Sequence, residues 1–319
     1  MNFSYHSATL LVLRRLSPID RRIEKCYYND RKTVHSFTQK GAAMNFLEQI
    51  LYALSGTMEM PSGYGTFHLV SLAVVLLLTA AMCWFFRNAS QQTEKRMLMI
   101  AWVVLVLMET YRQLLYAVHF DNPVYWDYDW NAFPFQFCSS PLFLFPLAAL
   151  PKSERVRDVF RMFFATFSLF AGLAVMFYPE GAFSSFIGIS IQTMVHHGTM
   201  VMFGVFLGGR LLREGKMKLP LFGKAAAVFA GLVLIALLMN LAAPLVTDKV
   251  FNMFYIGPYF PCQLVILNAI YPNVPHPVFL LIYTLGFIFA SFLVFGGQLL
   301  LRPSWYKALR AKHQSQQFV

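Results

Sequence analysis

The chain has 319 residues and a formal net charge of +11 at pH 7, and it is 57% hydrophobic but only 13% charged. A soluble domain carries about 25% charged residues, so this balance excludes a water-soluble globular protein and indicates one membrane-embedded unit. The basic excess does not indicate nucleic acid: the Lys and Arg residues lie in loops and tails between apolar runs, where they set membrane orientation.

Residues 1–43 carry Arg14, Arg15, Arg21, Arg22, Lys25, Arg31, Lys32 and Lys40 and no long apolar run. Leu10–Leu13 is too short for the core of a signal peptide. Met44-Asn45-Phe46-Leu47-Glu48 reads as a second start, so 1–43 is expected to be a dispensable or non-native extension with poor order. Residues 45–55 have the pattern of a short amphipathic helix lying at the membrane interface.

Seven apolar stretches follow, over approximately 65–86, 97–119, 133–150, 159–178, 184–208, 222–246 and 277–301. Each is close to the ~20 residues that a bilayer requires. The charges between them alternate. Arg87, Lys95 and Arg96, then Lys152, Arg155 and Arg157, then Arg210, Arg213, Lys216 and Lys218 fill every second loop, and Asp121, Asp127, Asp129 and Glu180 fill the others. The positive-inside rule predicts an N-terminus outside and a cytoplasmic C-terminus, with 302–319 a basic cytoplasmic tail. Loop 247–276 is apolar but broken by Gly257, Pro258, Pro261, Pro272 and Pro275, and is expected to be a re-entrant or interfacial segment before the last helix. The fold class is therefore an all-α membrane protein, a seven-transmembrane helix bundle over 44–301.

Polar side chains inside the spans are the candidate functional residues, because each is costly in lipid without a partner. Glu109, Arg112, Gln113, Tyr116 and His119 share one face of the second span. They either neutralise the helix for insertion or line a polar cavity. The fifth span holds Ser190, Gln192, Thr193, His196 and His197, and adjacent histidines cannot both face one way. Gly198 allows close helix approach. Cys138 follows Pro134 at the start of the third span, where a helix N-terminus and a nearby imidazole favour a thiolate nucleophile. At ~1.5 Å per residue, Glu109 and His196 fall at the midplane, with Arg112, Cys138 and Asn240 within roughly 9 Å of it. Cys26, Cys83, Cys138 and Cys262 make no disulfide framework and have no metal-ligand spacing; a Cys138–Cys262 bridge is a second reading of that pair. No metal or cofactor is expected.

Pro134-Phe135-Gln136-Phe137-Cys138 resembles the Pro-Leu-His-Leu-Cys signature of YwaF-like integral membrane proteins, with Gln136 in place of His. Gln192 with His196-His197-Gly198 is similar to the Gln/Ser and His-Gly element of a later span in that family. Asn252-Met253-Phe254-Tyr255-Ile256-Gly257 is similar to its Asn-Tyr-Met-Phe-Leu segment, and Gly65-Thr66-Phe67-His68 resembles its Phe-Gly-x-x-His start of the first span. The resemblance covers about 46–301. It implies distant kinship with the eukaryotic transmembrane protein 164 group, cysteine-dependent acyltransferases that move fatty acyl chains between phospholipids. Carried over, it implies Cys138 as nucleophile and the later-span His at His197, and a multi-pass location in the bacterial plasma membrane.

Two functions fit these residues. In the first, Cys138 attacks a glycerolipid ester, His197 or else His196 acts as base and then acid, Gln136 or Asn240 donates to the oxyanion, and Arg112 holds a lipid phosphate. In the second, a carrier, receptor or assembly factor binds a small or lipidic ligand among Glu109, Arg112, Gln113, Tyr116, Gln136, Gln192, Asn240 and Asn252. Membrane lipids are the expected partners in both. A retinal protein is excluded because the last span has no Lys for a Schiff base, and an intramembrane serine protease because no Gly-x-Ser-x-Gly element lies in a span.

Overall fold

The computed structural model describes residues 44–179 and 181–300, all within one unit, Met44–Val319. The expected extension 1–43, the basic tail 302–319 and Glu180 lie outside the described residues. The described chain is mostly helical. In order it runs through α1 (Phe46–Leu54), α2 (Thr66–Phe85), α3 (Gln91–Ala117), a two-stranded hairpin of β1 (Val118–His119) and β2 (Tyr125–Trp126), α4 (Ser140–Ala149), α5 (Glu154–Phe177), α6 (Ile187–Arg213), α7 (Leu219–Ala242) and α8 (His276–Leu300).

α1 starts with a capping box. Asn45 Oδ1 accepts from Glu48 N at 2.9 Å, and Glu48 Oε2 accepts from Asn45 N at 2.8 Å. Leu51 is buried while Phe46, Leu47, Ile50 and Leu54 are exposed, so the helix is amphipathic as its sequence predicts.

Among the described residues, five helices are long and apolar enough to cross a membrane: α2, α3, α5, α7 with its 3₁₀ extension to Leu245, and α8. They expose continuous apolar faces, such as Leu234, Leu238 and Leu241 on α7 and Leu281, Leu285 and Phe289 on α8, which water would not tolerate. The other two expected spans are helical but different in kind. The third, Phe137–Ala149, is a shorter apolar helix, about 20 Å long against a hydrocarbon core of about 30 Å. The fifth, α6, is long, but its Ser, Gln, Thr and His residues dilute its apolar character.

That polar helix occupies the centre. α6 packs against α2, α3, α5 and α8, and seventeen of its residues are buried. Glycines set its distance from α5, where Phe164–Ser168 form a π turn. A Cβ on Gly204 would lie 2.6 Å from Leu169 Cβ and 3.0 Å from the Phe164 carbonyl, so only glycine fits. The π turn displaces carbonyls from the helical ladder, and Gln298 of α8 donates Nε2 to one of them, Ala165 O. Aromatic rings fill the space between α5, α7 and α8. Phe167 stacks on Phe229 at 5.1 Å, Phe229 on Phe287 at 5.6 Å, and Phe287 on Tyr283 at 4.6 Å. The turn before α4 is pinned to this column by Phe137, whose ring edge meets Phe229 at 5.2 Å and Phe287 at 5.3 Å.

One end of the bundle is closed by ion pairs that no local pattern announces. Arg161 at the start of α5 reaches Glu94 of α3 at 3.0 Å, Asp158 at 2.7 Å and Glu214, just past α6, at 2.8 Å. Arg210 pairs with Glu94 and, at 3.6 Å, with Glu214. The carboxylates of Glu154, Asp158 and Glu214 lie within 4.8 Å of one another, close enough to hold a metal ion. Lys216 Nζ takes that place, at 2.9 Å from Asp158 and 3.3 Å from Glu214 and paired also with Glu154. Burial raises the Glu214 carboxyl, but the hydrogen bonds and charges of Arg161 and Lys216 outweigh it and hold the group below the usual carboxylate range.

Two outcomes test this packing. Gly204→Ala overpacks the α5–α6 contact and is expected to cost about 1–3 kcal/mol, seen as a lower thermal midpoint in detergent; Gly231→Ala, where a Cβ meets open space, is expected to leave the midpoint unchanged or raise it. Because Glu214 binds its proton more weakly folded than unfolded, its contribution is complete above the ordinary glutamate pKa of about 4.3 and disappears as pH falls through the lowered folded value. A pH series of thermal midpoints is therefore expected to fall on acidification, with a smaller acid loss in Glu214→Gln.

Candidate functional site

The polar face of α3 meets α6 through one carboxylate. Glu109, buried, accepts on Oε1 from Arg112 NH1 at 2.8 Å and Gln113 Nε2 at 2.6 Å, and on Oε2 from Gln192 Nε2 of α6 at 3.1 Å. The i, i+3 and i, i+4 spacings put the first two donors beside it. Arg112 lies over the Tyr116 ring, 5.4 Å from its centroid. Gln113 also donates to Ala132 O at 2.7 Å and accepts from Tyr128 OH. Burial, and then the Glu109 charge, push the Tyr128 phenol up, so it remains a donor. His119 does not continue this face. α3 ends at Ala117, and His119 enters β1, where it stacks on Tyr125 at 4.6 Å.

Cys138 sits in a 3₁₀ turn, Phe137–Ser139, that opens α4. His196 Nε2 lies 2.8 Å from the Cys138 carbonyl oxygen. A carbonyl only accepts, so Nε2 carries the proton and Nδ1 keeps its lone pair. That Nδ1 is buried and has no partner among the described residues. His197 turns back to its own helix, with Nδ1 at 2.7 Å from Thr193 O. The imidazole placed against the Cys138 residue is thus His196, not the His197 expected from the resemblance. Gln192 and His196, four residues apart, share the face that α3 and the Cys138 turn cover, and one residue further rotates a side chain by about 100°. Among the described residues no hydrogen bond joins the Cys138 thiol to either imidazole. Cys138 and Cys262 are free thiols, which corrects the bridged reading. Asn252 donates to Phe260 O and Pro261 O and so ties the backbone before Cys262 into its own loop.

Three amides expected to line a cavity instead grip one backbone segment. Gln136 donates to Asn252 O at 3.0 Å and accepts from Phe254 N at 2.8 Å. Asn240 of α7 donates to Met253 O at 2.9 Å and accepts from Met253 N at 2.7 Å. Asn252 accepts from Gly257 N at 2.8 Å. The segment is almost fully buried, and Phe254 and Tyr255 hold left-handed φ values of 57° and 56°, which are uncommon without glycine. Gln136 and Asn240 therefore make structural bonds where oxyanion donors were expected. Asn240 also forms part of a cleft of about 130 Å³ between the end of α7 and loop residues including Asp248, Lys249, Phe251 and Tyr259.

One motif residue acts outside this layer. His68 Nδ1 accepts from Tyr64 N at 2.9 Å, and Nε2 donates to Met176 O at 2.8 Å, which locks the start of α2 to the end of α5. The structure thus joins Glu109, Arg112, Gln113 and Gln192 in one network, sets His196 against Cys138, and binds Gln136, Asn240 and Asn252 to each other through the 252–257 backbone.

A family model described as the TMEM164 family matches residues 63–301, which takes in every residue of this layer. No curated protein and no solved structure matches the chain.

Removing the Asn240 amide strands the N–H and the carbonyl of Met253 at a buried site. Asn240→Ala is expected to cost about 1–3 kcal/mol for each group left unpaired. Amide exchange across residues 251–257 is expected to quicken more than exchange in α2, as read by mass spectrometry.

Proposed function

This chain belongs to the TMEM164 family, and we propose that it is a membrane enzyme that moves an acyl chain between phospholipids through Cys138. The observation that carries this reading is His196: its Nε2 is fixed 2.8 Å from the Cys138 carbonyl, and its Nδ1 is buried with a free lone pair. An unsatisfied buried nitrogen is costly, and a general base is a reason to keep one.

The Cys138 thiol gives its proton to His196 as sulfur attacks an ester carbonyl of a phospholipid. The C–O bond to the glycerol breaks, and the imidazolium returns the proton to the departing lyso-lipid oxygen. A hydroxyl of a second lyso-lipid then attacks the thioester with His196 again as base, and the thiol is restored. Glu109 fixes Arg112 and Gln192. Arg112, one-quarter exposed at its side chain, keeps guanidinium donors for a lipid phosphate.

The chain is read as crossing the membrane seven times, N-terminus outside and C-terminus cytoplasmic, in a bacterial plasma membrane. The short third crossing is read as completed by the non-helical, turn-containing residues 133–136 before Phe137. The α3 start, the α5 start and the α6 end share one ion-pair network, as an alternating path requires. The 251–257 segment is read as re-entrant, with its polar backbone met by Gln136, Asn240 and Asn252. The Gln136-Phe137-Cys138 motif and the Asn252–Gly257 segment support placement beside the YwaF-like branch. The amides' engagement with backbone favours a non-catalytic second reading, in which this polar layer holds the helices and the 252–257 segment together.

Incubation with phospholipid labelled in its acyl chain separates the two. A hydroxylamine-sensitive label is expected on Cys138 in the wild type and none in Cys138→Ala. His196→Gln is expected to slow labelling roughly 10²-fold or more, and His197→Gln to leave it within a few-fold. Undiminished labelling in Cys138→Ala, or none in the wild type, would refute acyl transfer at this site.

A further inference from the structure

The ion-pair network leaves a specific remainder at its end of the bundle. Each acidic residue there, Glu94, Glu154, Asp158 and Glu214, is paired internally with Arg161, Arg210 or Lys216. Among the described residues, Arg87, Lys95, Arg96, Lys152, Arg155 and Lys218 have no carboxylate within ion-pair distance. All but Lys95 are exposed, and Lys95 is half-exposed.

These cations stand beside exposed apolar side chains. Trp84 and Phe85 end α2 and adjoin Arg87, whose guanidinium lies 4.9 Å over the Trp84 ring. Val156 follows Arg155, and Leu219 follows Lys218, and both are exposed. Each basic residue is within about a turn of a long apolar helix, roughly 5 Å along its axis, which is the depth where phosphates meet acyl chains. A surface for a soluble acidic partner would not interleave its charges with bare Trp, Phe and Leu.

We propose that this end of the bundle is a binding surface for anionic phospholipid headgroups, made chiefly by Arg87, Arg96, Arg155 and Lys218. Arg161, Arg210 and Lys216 neutralise the local carboxylates, the surface-exposed Glu154 and Glu214 included, so the remaining cations face the lipid phosphates in excess over unpaired acid groups. The surface selects lipids with net negative charge over zwitterionic ones, because only the former gain from several uncompensated cations at once. This reading rests on membrane crossing alone and stands whether or not Cys138 reacts.

The test uses the full chain in nanodiscs of equal parts phosphatidylcholine and phosphatidylglycerol, with retained lipids counted by native mass spectrometry. Phosphatidylglycerol is expected to be enriched roughly tenfold around the wild type at low salt, given about fivefold per basic residue at a membrane surface. The enrichment is expected to shrink as salt rises and to fall severalfold in R87Q/R96Q/R155Q/K218Q, which changes exposed side chains only. Parity in the wild type overturns the proposal, as does full enrichment in a folded fourfold variant. Should that variant not fold, enrichment in the wild type that ignores salt overturns it equally. Binding of soluble polyphosphate to the same residues, with parity between the two lipids, would assign the surface to a soluble anion and likewise end the proposal.

Discussion

The carboxylate of Glu109 is held by three donors from two helices, and the polar interior of the bundle is assembled around it. An ionised group away from water must find its charge partner and its hydrogen bonds inside the protein. Arg112 supplies the counter-charge, Gln113 carries the contact out to Tyr128, and Gln192 carries it across to α6. Once Gln192 faces Glu109, the helical repeat places His196 one turn further along the same face, over Cys138. The central helix can hold this many polar groups only because other helices, not lipid, surround it.

Much of the architecture was legible because lipid imposes a strong filter on composition. The runs that became α2, α7 and α8 contain almost nothing but apolar residues, and their limits in the structure differ from the expected ones by a few residues. The Glu109–Arg112 pair and the shared face of Gln192 and His196 follow from spacing alone. Other features follow from contacts far apart in the chain. Glu94 meets Arg161 and Arg210 across long sequence separations, so the basic loops read as orientation signals and concealed an internal network. His119 continues the helical spacing of Glu109, Arg112 and Tyr116, yet the cross-strand pairing of His119 with Tyr125 ends the helix before it. Gln136, Asn240 and Asn252 stood out as polar groups in apolar surroundings. Their partners proved to be a buried, irregular backbone, whose need for donors and acceptors is invisible in side-chain patterns. The choice between His196 and His197 depends on about 100° of helix rotation, and that depends on which neighbour covers which face.

The Cys138 turn is constrained from three sides. Phe137 is caught in the aromatic column of α5, α7 and α8, Gln136 grips the 252–254 backbone, and the Cys138 carbonyl is held by His196. The backbone carrying the thiol is therefore fixed while the sulfur itself is not tied to either imidazole. On the proposed reading of Cys138 as nucleophile, a rigid mount with an uncommitted side chain leaves room for an acyl carbonyl to enter between sulfur and imidazole.

Lys216 has a different kind of consequence. An ammonium tethered to the main chain stands where three carboxylates would otherwise gather a divalent ion. The chain thus supplies from its own sequence the positive charge that these three carboxylates require, and the tether fixes where that charge stands.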